Sequence, residues 1–141
     1  MHTVIIGGGF AGIKAALELA NKQTGKITLI SNSPYFNCHA SLYSILAGKS
    51  KRQSKVTLSD IFAHINGVDI VQDEVISINP EKNIVRSKDA AYEYDKLILS
   101  PGMVSDNLGI SGVKSHTLSI RNLEDIDKLR KRLEANTKEK I

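Results

Sequence analysis

Three glycines near the start of the chain carry the clearest chemical signal in the sequence. Gly7, Gly9 and Gly12 have the spacing Gly-x-Gly-x-x-Gly, which is typical of turns that hold a diphosphate. Glycine allows a tight turn at the first position, a close backbone approach to the phosphates at the second, and close helix packing at the third. We expect the backbone amides of Phe10, Ala11 and Gly12, which open the next helix, to face the anion.

The glycine turn lies between a predicted strand and a predicted helix. Residues 3–6 are apolar and β-branched, as in a buried strand, and apolar residues recur with helical spacing over residues 10–21. A second strand is predicted over residues 26–30. Strand, helix and strand in this order form a βαβ unit with parallel strands, and this context makes the glycine pattern specific.

The rest of the chain predicts short elements around this unit. Leu42, Ile45 and Leu46 mark one face of a short helix, Thr57 is expected to cap a second helix, and Asn122 is expected to cap a last one. Residues 96–100 predict a buried strand. A small antiparallel meander is predicted from four short strand candidates, at residues 68–71, 75–78, 83–86 and 91–94. The fold class is therefore α/β, with a parallel sheet and a small antiparallel β-meander.

Composition excludes several classes of protein. The chain has 141 residues, of which 41% are hydrophobic, so it has the size and composition of one ordinary globular domain. A net charge of +4 from 19 basic and 15 acidic side chains is too small to indicate nucleic-acid binding. Cys38 is the only cysteine, so no disulfide forms within the chain. No apolar run is long enough to span a membrane, and we expect a cytoplasmic protein.

The end of the second strand departs from the usual dinucleotide fingerprint. An Asp or Glu normally stands there and accepts hydrogen bonds from the hydroxyls of the adenosine ribose. This chain has Ser31 and Asn32, whose side chains accept hydrogen bonds without a negative charge. Weaker or altered nucleotide affinity is the expectation, and loss of nucleotide binding is the alternative.

Several segments together resemble the flavoprotein pyridine-nucleotide oxidoreductases, and most closely the type II NADH dehydrogenases. The matching segments are residues 4–12, 33–35, 42–43, 47–48, 74–75, 78–80, 94–102, 109–110, 112–113 and 123–125. The resemblance implies a Rossmann-like FAD/NAD(P)-binding core that is truncated relative to the family. It implies that residues 1–112 form the first part of the FAD-binding domain. Residues 113–141 would be a connecting strand and helix leading toward an absent NADH-binding domain.

The resemblance also implies the roles of later residues. The glycine motif would bind FAD, and the backbone of Val75 would contact the adenine. The tripeptide Ser100-Pro101-Gly102 stands where the family has Ala-Thr-Gly beside the flavin. Pro101 lacks the amide hydrogen and the hydroxyl that threonine would supply there.

The implied function is that of the FAD-binding portion of a flavin-dependent NADH:quinone oxidoreductase. FAD would take hydride from NADH and pass two electrons to a quinone, and the intact enzyme would lie at the inner face of a membrane. No second glycine motif is present, so no residue is assigned to an NADH site. No catalytic residue or metal ligand is assigned either. Against the family's length, we expect the chain to be a fragment or a shortened relative. Without the later segment that normally covers them, Leu129 and Leu133 of the last helix would stay exposed, and we therefore expect a homo-oligomer.

Three alternatives stay open at this point. The first is a nucleotide-binding module without catalysis. The second is part of a flavoprotein similar to the sulfide:quinone oxidoreductases, which typically need further cysteines. The third is a relative of the coenzyme A disulfide reductases. Asn37-Cys38 resembles the segment that holds their redox cysteine, although the spacing to Tyr43 is one residue too long. A packed, inert thiol is the simpler interpretation of Cys38, and a hydrogen-bonded loop histidine that of His39.

Overall fold

The structure is a computed structural model, and it describes residues 1–50 and 55–138. The helices are α1 (Phe10–Asn21), α2 (His39–Leu46), α3 (Leu58–Ile61), α4 (Val113–His116) and α5 (Leu123–Lys138). The strands are β1 (His2–Ile6), β2 (Lys26–Ser31), β3 (Tyr35–Asn37), β4 (Lys55–Thr57), β5 (Val68–Gln72), β6 (Val75–Asn79), β7 (Ile84–Ser87), β8 (Ala91–Glu93) and β9 (Lys96–Leu99). The predicted α/β class is confirmed.

A parallel sheet forms the centre of the fold. Its strand order is β5-β2-β1-β9, and every pairing in it is parallel. Helix α1 covers one face because Ile13 and Ala16 on its apolar stripe pack against Ile5 and Leu29. Each fully buried isoleucine or leucine side chain contributes about 1.5–3 kcal/mol to the free energy of unfolding. The predicted βαβ unit is therefore present, and α1 has the predicted bounds.

A small antiparallel sheet of β6, β7 and β8 packs on another apolar cluster of the parallel sheet. Val85 of β7 is fully buried against Val4 and Ile30, which belong to a cluster separate from the one beneath α1. The parallel strands therefore have apolar side chains on both faces, as buried parallel strands do.

The position of β5 corrects the sequence prediction. Residues 68–71 were expected in the antiparallel meander, but β5 lies parallel to β2, with Ser31 opposite Gln72. Val68 and Ile70 pack in the cluster beneath α1, whereas Val71 packs in the cluster of Val85. Burial on both faces suits a strand inside the parallel sheet, and a short apolar run by itself does not identify its neighbour.

The chain divides into two compact units, one made of residues 1–36 and 56–102 and the other of the described parts of residues 37–55 and 103–141. In the second unit, α2 and α5 pack through Leu42, Ile45 and Ile126. The predicted domain boundary between residues 112 and 113 stays a prediction.

Both predicted helix caps are confirmed. The Asn122 side chain accepts a hydrogen bond from the Asp125 amide at 2.8 Å, and Thr57 accepts one from the Asp60 amide at 3.1 Å. Helix α3 is a single turn and is shorter than its apolar pattern indicated. Among the described residues, no helix is both long and apolar enough to cross a membrane.

Candidate functional site

Two glycines of the turn after β1 lie too close to neighbouring backbone for any side chain. A Cβ atom on Gly7 would collide with the carbonyl oxygen of Ser100, and the φ of Gly7 is +108°. A Cβ atom on Gly12 would collide with the carbonyl oxygen of Gly7 and come within 2.8 Å of Ser100 Oγ. Glycine at both positions therefore lets the turn, α1 and the end of β9 pack together.

The third glycine faces open space. Gly9 has a φ of −88°, which any residue adopts, and a Cβ atom built on it would meet no atom within 4 Å. Its carbonyl oxygen accepts the first bond of α1, from the Ile13 amide at 3.0 Å. Across residues 1–50 and 55–138, no hydrogen bond engages the amides of Phe10, Ala11 and Gly12. Three amides and the positive end of α1 are thus available to an anion.

A cleft of about 250 Å³ lies beside this turn, at the carboxyl ends of β1, β2 and β5. Ligands of open α/β sheets bind at this edge. The residues that line it are Ile6, Gly7, Ile30, Ser31, Asn32, Asp73, Glu74, Val75 and Pro101. The lining combines apolar and polar side chains, which suits a planar base joined to a sugar.

Ser31 and Asn32 differ in how they meet the cleft. Ser31 is buried, and its hydroxyl donates to the Ser33 carbonyl oxygen at 2.8 Å and accepts from the Ser33 amide at 3.3 Å. Its only hydroxyl proton is therefore used in the turn after β2. Asn32 is exposed. A role for either side chain in binding a ribose stays a prediction.

Asp73 ties together the corner between β5 and β6. It is buried, and its carboxylate accepts hydrogen bonds from the Glu74 amide at 2.7 Å and the Asp89 amide at 3.3 Å. The Ser87 side chain holds the pKa of the Asp73 carboxyl below its usual range, and these backbone amides act in the same direction. Asp73 is thus a carboxylate whose oxygens serve the protein itself.

Glu74 presents a second carboxylate at the same corner. Its Oε2 forms an ion pair with Lys88 Nζ at 2.6 Å, and both side chains are more than half exposed. The hydrogen bond to Glu74 raises the pKa of the Lys88 ammonium. Unlike Asp73, Glu74 is accessible to a ligand in the cleft.

The turn after β9 forms the remaining wall. The Ser100 amide and hydroxyl both donate to the Ile6 carbonyl oxygen at 2.8 Å, which fastens this turn to β1. Pro101 lines the cleft, and Gly102 follows with a φ of +81°. Val75 also lines the cleft, and it begins β6 and pairs with Ser87.

Five of the predicted site residues line the cleft together: Gly7, Ser31, Asn32, Val75 and Pro101. Gly9, Phe10, Ala11, Gly12, Ser100 and Gly102 do not line it and instead form the helix opening and the turns that flank it. Sequence reasoning missed Asp73 and Glu74. No local pattern identifies them: they are recognised only once β5 is known to pair in parallel with β2, because residues that follow neighbouring parallel strands meet at one edge.

Cys38 and His39 begin α2, in the second compact unit. Cys38 is half-buried at the N-cap position, and His39 is exposed. Nothing in the geometry assigns either residue a catalytic role. No group of three or more His, Cys, Asp or Glu side chains in the part of the chain that the structure describes could hold a metal ion.

A parallel sheet that ends in this glycine turn and free helix opening defines a Rossmann-like protein. The family model described as pyridine nucleotide-disulphide oxidoreductase matches residues 1–140. The chain therefore belongs to the pyridine nucleotide-disulphide oxidoreductase family, as its resemblance indicated.

Similar proteins agree with this assignment. A type II NADH:quinone oxidoreductase of Staphylococcus aureus (strain NCTC 8325 / PS 47) is 27% identical over 134 residues, which cover 93% of this chain and 33% of that protein. The sulfide:quinone oxidoreductase from Aquifex aeolicus superposes with a TM-score of 0.85 at 30% identity, over 95% of this chain and 32% of that one. NDH2 from Plasmodium falciparum shares the fold, with a TM-score of 0.78 at 21% identity over 92% of this chain and 28% of that one. The chain spans about a third of the length of these relatives.

Proposed function

We propose that this chain is the FAD-binding portion of a flavin-dependent NADH:quinone oxidoreductase. The observation that carries the proposal is the opening of α1, where three backbone amides have no partner among the described residues and Gly9 leaves the space before them empty. A diphosphate matches that opening in charge and hydrogen-bonding capacity. The family assignment supports the same ligand class.

Each part of the site would hold a different part of FAD. The amides of residues 10–12 would bind the diphosphate, and the cleft would take the adenosine between Asn32 and Val75. Ile6 and Ile30 line the cleft and would give the base an apolar contact. Pro101 and Gly102 would support the flavin side. These residues bind and orient the cofactor.

The chemistry of the whole protein would come from the cofactor. When bound, FAD supplies the capacity to accept hydride from NADH and to deliver two electrons to a quinone. The name of the Staphylococcus aureus relative supports this assignment. A quinone acceptor, a location at the inner face of a membrane and self-association belong to the same proposal, and no residue described here is assigned to binding NADH.

Equilibrium titration with FAD, ADP and FMN tests the proposal. FAD and ADP share the adenosine diphosphate, whereas FMN has the flavin ring without it. We expect FAD and ADP to bind at least about tenfold more tightly than FMN, because the helix opening and the cleft recognise the shared part. A purified chain that stays colourless and binds neither FAD nor ADP contradicts the proposal.

A second candidate is a nucleotide-binding module without redox activity. The observation that favours it is Pro101, which lines the cleft and has no amide hydrogen to donate in the turn assigned to the flavin side. The same titration separates the two candidates. FAD affinity well above ADP affinity supports the flavoenzyme, and equal affinities support the module.

A further inference from the structure

The end of β2 holds no carboxylate for the ribose of a bound nucleotide. The Ser31 hydroxyl is bonded to both the carbonyl oxygen and the amide of Ser33, and Asn32 is uncharged. A site that reads ribose hydroxyls at this edge gains most from a charged acceptor, because charge-assisted hydrogen bonds are about twice as strong as neutral ones. A strand beside β2 can supply such an acceptor at the same edge.

The neighbouring strand is β5. It runs parallel to β2, and the Asp73 amide donates to the Ser31 carbonyl oxygen at 3.0 Å, so the chain leaves β5 directly beside the end of β2. Asp73 and Glu74 follow, and both line the same cleft as Ser31 and Asn32. Two carboxylates therefore stand one strand away from the usual position of the acid.

Only one of these carboxylates is available to a ligand. Asp73 is buried, and its oxygens accept hydrogen bonds from the Glu74 and Asp89 amides. The Glu74 side chain is 56% exposed, and its ion pair with Lys88 engages Oε2. Among the residues that the structure describes, no hydrogen bond engages the other oxygen of Glu74, Oε1.

We propose that Glu74 accepts hydrogen bonds from the adenosine ribose hydroxyls of the bound dinucleotide, in place of an acid at the end of β2. Asp73 acts as a positioning residue because it fixes the backbone amide of Glu74. This inference rests on the proposed function, since it names a recognition residue of the same site. If Glu74 has this role, the site recognises the two free hydroxyls of the ribose.

The test compares ADP with 2′-deoxy-ADP and 3′-deoxy-ADP in equilibrium binding to the full chain. We expect the wild type to prefer ADP over at least one deoxy analogue by roughly tenfold, the strength of one hydrogen bond to a charged group. Glu74→Gln should weaken ADP binding by a similar factor and leave the affinity for that analogue nearly unchanged. The preference would then fall to within about twofold.

Glu81→Gln is the matched control because Glu81 is an exposed glutamate in the turn between β6 and β7, outside the cleft. It should keep the wild-type preference. Loss of folding would not produce the expected pattern, because it would lower the affinity for all three ligands equally. Melting curves of the variants check their folding directly.

Two results overturn the assignment to Glu74. One is an unchanged preference in Glu74→Gln, and the other is a wild type that binds ADP without discriminating against either deoxy analogue. In both cases the proposed function stands, because ADP still binds. A wild type that binds neither ADP nor FAD overturns the proposed function, and this inference with it.

Discussion

The edge of the parallel sheet holds two kinds of turn, and they meet a ligand in different ways. After β1, the turn offers main-chain amides, and its glycines serve either to pack against backbone or to leave space. After β2 and β5, the chain offers side chains: Ser31 and Asp73 hold the turns in shape, and Glu74 remains exposed.

The difference concerns how freely each kind of recognition can change. Recognition by main-chain amides is restricted to one place, because it needs the first turn of a helix and glycines that carry no side chain. Side-chain recognition depends on where a functional group lies in space, and any strand that ends at the same edge can supply it. Four substitutions test this contrast, in order of decreasing magnitude.

Gly12→Ala should destabilise the fold most. The added methyl group would collide with the Gly7 carbonyl oxygen, which is backbone and cannot rotate away. We expect a loss of about 3 kcal/mol in the free energy of unfolding, the upper range for overpacking a tight contact. Urea denaturation measures it. A loss below about 1 kcal/mol would show that the turn can relax.

Gly9→Ala should affect binding instead of folding. Its methyl group would meet no protein atom within 4 Å but would stand in the space assigned to the diphosphate. We expect ADP affinity to fall by about tenfold or more, with a stability change below about 1 kcal/mol for alanine at an N-cap. The same two measurements on Gly12→Ala provide the control. Unchanged ADP affinity would place the phosphates elsewhere.

Ser31→Ala should weaken the fold slightly and leave binding alone. The substitution removes the hydrogen bonds that the hydroxyl makes with Ser33. We expect about 1 kcal/mol of lost stability, as for one net hydrogen bond. ADP affinity should change by less than about twofold. A larger loss of affinity would show that Ser31, at the end of β2, contacts the ribose.

Asp73→Asn should have the smallest effect, which is a stability difference from the wild type that changes in acid. The pKa of the Asp73 carboxyl is lowered in the folded chain, chiefly by Ser87, so its contribution is fully present above the usual carboxyl range. It is lost as the pH falls through the lowered value, because protonation removes the acceptor. The stability difference between wild type and Asp73→Asn, measured in urea, should therefore be constant near neutral pH and shrink in acid. A difference that grows in acid would contradict this sign.

Much of the site was predictable from local sequence. The spacing of Gly7, Gly9 and Gly12 and the periodicity of α1 identified the helix opening, since both patterns act within a dozen residues. The caps Thr57 and Asn122 were predictable for the same reason. Asp73 and Glu74 were missed because residues 68–71 were assigned to the wrong sheet, and an apolar run indicates burial without naming its partner.

Local sequence was enough to predict the βαβ unit, the glycine turn and the family, because each depends on residue types at short, fixed spacings. Tertiary structure alone decided which strand lies beside β2. Strand pairing is a contact between residues distant in the chain, and it brought Glu74 to the edge where Ser31 ends β2. The position of a charge in the cleft therefore follows from the order of the strands, which no local pattern encodes.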